Sequence, residues 1–130
     1  MTTFNYSLES RVNVSAQFTS TASSSEDAII EARLAQTRGA INWDRSGTKI
    51  GPIFENYKTW ATKNTDGSWS VSLVSSIIIT STGTAEADSS EILKNSLRNI
   101  QISGGLNWLY RGTPVGIYRA SSISIWTNEA

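Results

Sequence analysis

A ten-residue pattern occurs twice in this chain, 65 positions apart, and it constrains the fold more than any other feature. Asn42-Trp43-Asp44-Arg45-Ser46-Gly47-Thr48-Lys49-Ile50-Gly51 and Asn107-Trp108-Leu109-Tyr110-Arg111-Gly112-Thr113-Pro114-Val115-Gly116 both read Asn-Trp-x-x-x-Gly-Thr-x-x-Gly. Other matches keep the same offset. Ser89-Ser90-Glu91 falls on Ser24-Ser25-Glu26, Leu93, Leu97 and Ile100 fall on Ala28, Ala32 and Ala35, and Trp69, Val71 and Leu73 fall on Phe4, Tyr6 and Leu8. Trp126 follows Trp60 by 66 positions, which predicts one inserted residue before the last strand. Coincidence at this density marks an internal duplication, with repeats 1–65 and 66–130 inside a single domain of 130 residues.

Hydrophobic periodicity sets the elements. Phe4, Tyr6, Leu8, Ser10, Val12, Val14, Ala16 and Phe18 alternate with mostly polar residues, the signature of a long half-buried strand. Ser24, with Asp27 three residues on and Glu26 in the first turn, predicts a helix start. Ala28, Ala32 and Ala35 follow at helical spacing with Ile30 and Leu34 beside them, and Gly39 stands where a C-terminal cap belongs. A short strand through Ala40–Trp43, a turn at Ser46-Gly47 and a strand from about Ile53 to Thr62 complete the repeat. Asp66-Gly67 predicts a hairpin into a second long strand from Trp69 to Ile79. The predicted fold is α+β: two tandem βαββ repeats, each an antiparallel sheet with one helix, related by an approximate two-fold. On the closing strand, Val115, Ile117, Ile123 and Ile125 are expected on the core side. Tyr118 and Trp126, like Phe54 and Trp60 against Ile53 and Tyr57, then form a second, aromatic face that requires a cover.

Composition removes whole classes of chemistry. The chain has no histidine and no cysteine, so histidine-based triads, proton shuttles, thiolate nucleophiles and most transition-metal sites are excluded. Eleven basic residues balance eleven acidic ones, which leaves no bulk charge for duplex DNA or an acidic membrane. No apolar run reaches membrane-spanning length and no secretory leader is recognisable. Cytoplasmic residence, in a cell or as a phage product made there, is the expectation. Glu26, Asp27, Glu86, Asp88 and Glu91 cluster at helix starts, where capping accounts for them, and no enzyme or metal site is expected.

Ser25-Glu26-Asp27-Ala28-Ile29 opening the helix, Ala40-Ile41-Asn42-Trp43 on the next strand and Tyr57-Lys58-Thr59 on the last resemble the dodecins, flavin-binding proteins with this repeat length and element order. The resemblance implies that a tryptophan at the position of Trp43 stacks on a flavin ring. Lys58 stands where the family carries glutamine, and dodecins are single-unit chains that assemble into shells. The doubled topology is also similar to that of the gyrase-inhibitor-like effector-binding domains, which implies a small molecule held between halves.

Two readings of the twin motif stay open. Trp43 and Trp108 form an aromatic clamp for a planar ligand, or they pack beside Ile41 and Leu106 in the core, which tryptophan favours in a small protein. Gly47-Thr48 and Gly112-Thr113 present N–H groups to an anion, or they only turn a hairpin. Basic residues gather on the hairpins: Arg38, Arg45, Lys49 and Lys58 in one copy, Lys94, Arg98, Arg111 and Arg119 in the other. The expected function is therefore non-enzymatic binding of a small planar or anionic ligand, nucleotide or flavin-like. The candidate residues are Trp43, Arg45, Thr48, Lys49, Lys58, Trp108, Arg111, Thr113 and Arg119. Two rival readings are a homo-oligomeric assembly or protein-interaction module, and sequence-tolerant single-stranded nucleic-acid binding.

Overall fold

A computed structural model describes residues 1–45, 48–55, 58–118 and 124–130, with Thr48 by its backbone alone. The elements in chain order are β1 (Thr2–Ser20), α1 (Ser25–Thr37), β2 (Trp43–Arg45), β3 (Thr48–Ile50), β4 (Lys58–Lys63), β5 (Trp69–Ala87), α2 (Ser90–Ser103), β6 (Leu109–Tyr110), β7 (Thr113–Pro114) and β8 (Ser124–Glu129). Their boundaries follow local chemistry. The Ser24 and Ser89 hydroxyls each accept from the N–H three residues on, Asp27 and Ile92, at 3.2 Å. Both helices end the same way. Gly39 and Gly104 take a positive φ, and the N–H groups of Ala40 and Gly105 return to the carbonyls of Ala35 and Ile100.

The chain divides into two compact units of equal length. One is Asn13–Ile77; the other joins Met1–Val12 to Ile78–Ala130. The cuts fall inside β1 and β5, so each 19-residue strand serves both units.

In the 13–77 unit the second half of β1 pairs with β2 (Ala16 opposite Trp43), and β2 pairs with β3. The first half of β5 pairs with β4, from Lys58 opposite Val74 to Lys63 opposite Trp69. The sheet order is β3-β2-β1-β5-β4, and α1 packs against β4. The core comprises Val14, Ala16, Ala28, Ala32, Ala35, Ile41, Trp43, Ile50, Ile53, Val71, Leu73 and Ile77.

In the second unit the first half of β1 pairs with β8, from Phe4 opposite Glu129 to Glu9 opposite Ser124. The second half of β5 meets β6 at Thr80 opposite Leu109, and β6 turns into β7. The order is β8-β1-β5-β6-β7, with α2 against β8. The core comprises Phe4, Leu8, Val12, Ile79, Ala87, Leu93, Leu97, Leu106, Trp108, Tyr110 and Val115.

The chain is therefore not two tandem βαββ repeats. Among the described residues strand takes up 49% and helix 22%, and each sequence half carries four strands around its helix. The last strand of each half pairs with the first strand of the other half. A tight turn explains the first of these pairings. Asn64–Ser68 closes on itself through Asn64 N–H to Ser68 C=O (2.8 Å) and Gly67 N–H to Asn64 C=O (3.1 Å). A turn this short joins neighbours in a sheet, so β4 lies beside β5 and not beside β1.

Two other expectations change. Ile53, Phe54 and Glu55, predicted as strand, lie outside β4, and the carbonyls of Ile53 and Glu55 instead accept from the Gln36 side-chain amide, both at 3.1 Å. Ile117 is exposed rather than on the core side, while Val115 is fully buried. Tyr57 and Ile123 lie outside the described residues. The inserted residue is placed by register: Trp60 opposes Ser72 and Trp126 opposes Ser7, so the long strands keep the 65-residue offset and the last strands run one ahead.

Candidate functional site

The twin tryptophans are core residues. Trp43 is 1% exposed and Trp108 2% exposed, so neither presents a ring face to solvent as a ligand clamp requires. Trp108 is held by an edge-on contact with Tyr118, ring centroids 5.6 Å apart and planes at 88°. The Tyr118 carbonyl accepts from the Gln101 side-chain amide at 3.2 Å, one repeat beyond the Gln36–Ile53 bond.

The basic candidates turn toward their own aromatics. The Lys58 ammonium sits 5.5 Å from the centre of the Trp60 ring, and the Arg111 guanidinium 5.5 Å from that of Tyr110. Lys49 is exposed on β3, Arg45 is half-buried on β2, and Thr113 is exposed on β7 opposite Tyr110. Arg111 (φ 49°) and Gly112 (φ 82°) form the two-residue turn of the β6–β7 hairpin, a conformation glycine reaches without strain and arginine does not. Ser46, Gly47 and Arg119 lie outside the described residues, and Thr48 is placed by its backbone in β3.

The second copy of the motif borders a hollow. Gly104, Gly105, Leu106, Asn107, Trp108, Leu109, Pro114, Gly116 and Ile117 surround about 530 Å³, and none of these side chains carries a charge. Ile117, 52% exposed, stands at its rim. In the 13–77 unit the matching place is occupied: a Cβ on Gly39 would lie 3.6 Å from Pro52 and 3.9 Å from Phe54.

Among the described residues no group of three metal-binding side chains occurs. The Ser75 hydroxyl is buried without a hydrogen-bond partner, but the chain has no histidine to activate it. No helix is long and apolar enough to cross a membrane. Comparison with protein-family models, curated proteins and solved structures finds nothing that matches this chain.

The hollow's lining shows what sequence reading missed. Asn107, Trp108, Leu109, Pro114 and Gly116 belong to the repeated motif, Ile117 is expected on the core side instead, and Gly104, Gly105 and Leu106 precede the motif. The signal available was a difference between copies: Pro52 and Phe54 have no proline or aromatic counterpart at Ile117 and Arg119.

Proposed function

We propose that this chain is a non-enzymatic binding protein that holds a small, uncharged planar ring, flavin-like or nucleobase-like, in the hollow beside Trp108. The supporting observation is the hollow itself. About 530 Å³ lies within the usual range for small-molecule sites, and its wall combines apolar side chains with glycine backbone and one carboxamide, Asn107. Among the described residues of that wall a phosphate would find no cation, and Arg111 nearby in sequence is turned onto Tyr110. The ring, not its phosphate, is the part recognised.

Equilibrium dialysis against lumichrome, riboflavin phosphate, adenosine and adenosine monophosphate tests this. Lumichrome or adenosine should be retained, with the phosphorylated forms no tighter, and Ile117→Trp should block retention. Retention of nothing, or a phosphorylated form held tenfold more tightly, overturns the proposal.

A second reading, homo-oligomeric assembly, is favoured by a different observation. Helix α1 buries three alanines and turns Ile30 and Leu34 outward, while Trp60 (41% exposed) and Trp126 (52% exposed) project from β4 and β8. Sedimentation of the purified chain should then give a multimer that Leu34→Glu dissociates. A monomer at high concentration removes this reading.

A further inference from the structure

A second cavity in the same unit lies between α2 and the strands β1 and β5. It encloses about 430 Å³ and is lined by Met1, Tyr6, Ala85, Glu86, Ala87, Asp88, Ile92, Leu93, Ser96, Leu97, Ile100, Gly105 and Leu106. Its existence follows from two departures between the sequence repeats. In the 13–77 unit the Ser20 hydroxyl donates to the Glu31 carboxylate, tying α1 to β1. The positions one repeat later are Ala85 and Ser96, which line the cavity and cannot make that bond. On the strand face, Tyr6 stands where Val71 is fully buried. The Tyr6 ring lies down over Gly83: a Cβ there would come within 2.5 Å of its hydroxyl and 2.7 Å of its Cζ. Glycine at 83 is what allows the ring to lie flat and leaves the space beside it open.

The chemistry of the wall selects a ligand class. Ile92, Leu93, Leu97, Ile100 and Leu106 make an apolar floor, and the Tyr6 and Ser96 hydroxyls are the neutral polar groups. Besides the Tyr6 phenol, the ionisable side chains of the wall are Glu86 and Asp88, both acidic and both exposed. The nearby start of α2 supplies about half a positive charge and the Met1 amino group one more, together less than the two carboxylates. At ~30 Å³ for each water-sized group, the volume takes a chain of roughly a dozen non-hydrogen atoms. We propose that this cleft binds a hydrophobic amine, an aliphatic chain ending in an ammonium group, with the chain along Leu93 and Leu97 and the charge between Glu86 and Asp88. The site is separate from the Trp108 hollow, although Gly105 and Leu106 border both.

Calorimetry on the whole chain at low salt, with decylammonium, decanol and decanoate as probes, tests the assignment. Two carboxylates about 6 Å from the ammonium in a water-like dielectric should favour decylammonium over decanol roughly tenfold. Decanoate should be the weakest of the three. Glu86→Gln with Asp88→Asn should abolish the preference for decylammonium over decanol and let decanoate gain on both, since the helix start then faces the cleft unopposed. Ser96→Phe, at an exposed helix position, fills the cleft and should abolish binding of all three, and Gly83→Ala should weaken it by lifting Tyr6 into the space. Trp108→Phe should leave decylammonium binding unchanged, so failure of the ring-binding proposal and failure of this one read out separately. Decanoate binding as tightly as decylammonium, no binding of any probe, or binding that survives Ser96→Phe in a protein of unchanged circular dichroism overturns the proposal.

Discussion

The unit at 13–77 and the unit made of 1–12 with 78–130 place the same elements in the same order around different fillings. Alanines line α1 where leucines line α2. Ser20 and Glu31 tie helix to strand in one, while Ala85 and Ser96 leave a cleft in the other. Pro52 and Phe54 cover Gly39, while Gly104 faces a hollow. The difference teaches that two units with the same order of elements can hold helix and strand together differently, one through a hydrogen bond and the other around a cleft. Side-chain identity at a few equivalent positions is enough.

The largest effect that probes this comparison is removal of a central tryptophan. Trp43→Ala and Trp108→Ala should each cost about 3–5 kcal/mol in urea unfolding, the latter at the lower end because Trp108 already borders empty space. An equal or greater loss at Trp108 would break the contrast between filled and open units. Next come the helix-end glutamines. Gln36→Leu strands the carbonyls of Ile53 and Glu55 and should cost about 1–3 kcal/mol, with Gln101→Leu no more costly.

Ser20→Ala, which removes the strand–helix tie, should cost about 1 kcal/mol, reduced from a buried charged bond because Glu31 is exposed. Ala85→Ser alone should return nothing, since Ser96 offers no carboxylate. The helix caps are the control: Ser24→Ala and Ser89→Ala should each cost about 1 kcal/mol by thermal melting, and a clear inequality would show that the units differ in more than their filling.

The smallest effect lies in the turn between β4 and β5. The Ser68 hydroxyl and then its N–H donate to the fully exposed Asp66 carboxylate and hold it below the ordinary carboxylate range. A pKa lowered in the folded state stabilises above the unfolded value and is lost as pH falls through the folded one. Asp66→Asn should therefore remove a slight stabilisation at neutral pH and flatten the acid limb of the stability–pH curve, the two proteins converging at low pH.

Much of the local structure is legible in the residues. Strict alternation from Phe4 to Phe18 corresponds to β1, Ser24 and Ser89 cap the helices as read, and Gly39 ends α1. The core reading of Trp43 and Trp108 agrees with their burial. Three things are not legible. Ile53 and Glu55 look like strand residues, but their carbonyls are claimed by a glutamine seventeen or more positions away. Ile117 fits the apolar side of an alternating strand, yet the chain there is not a strand and the residue faces out. The α2 cleft is written as scattered differences between the repeats, Ala85 for Ser20, Ser96 for Glu31 and Tyr6 against Val71, whose effect depends on what packs opposite.

By itself the sequence determined the two long strands, the two helices with their caps, the turn at Asp66-Gly67 and the absence of histidine or thiol chemistry, because each depends on composition, periodicity or residues within a few positions. Which strand each last strand joins, where the compact units divide, and which copy is hollow were decided only in three dimensions. An alternating strand offers the same hydrogen-bonding edge to any partner, so pairing follows from turn geometry and packing between distant segments. The repeated Asn-Trp motif shows both sides of this: its tryptophan is buried in each copy, and the hollow beside Trp108 is completed by surroundings that lie outside the motif's pattern.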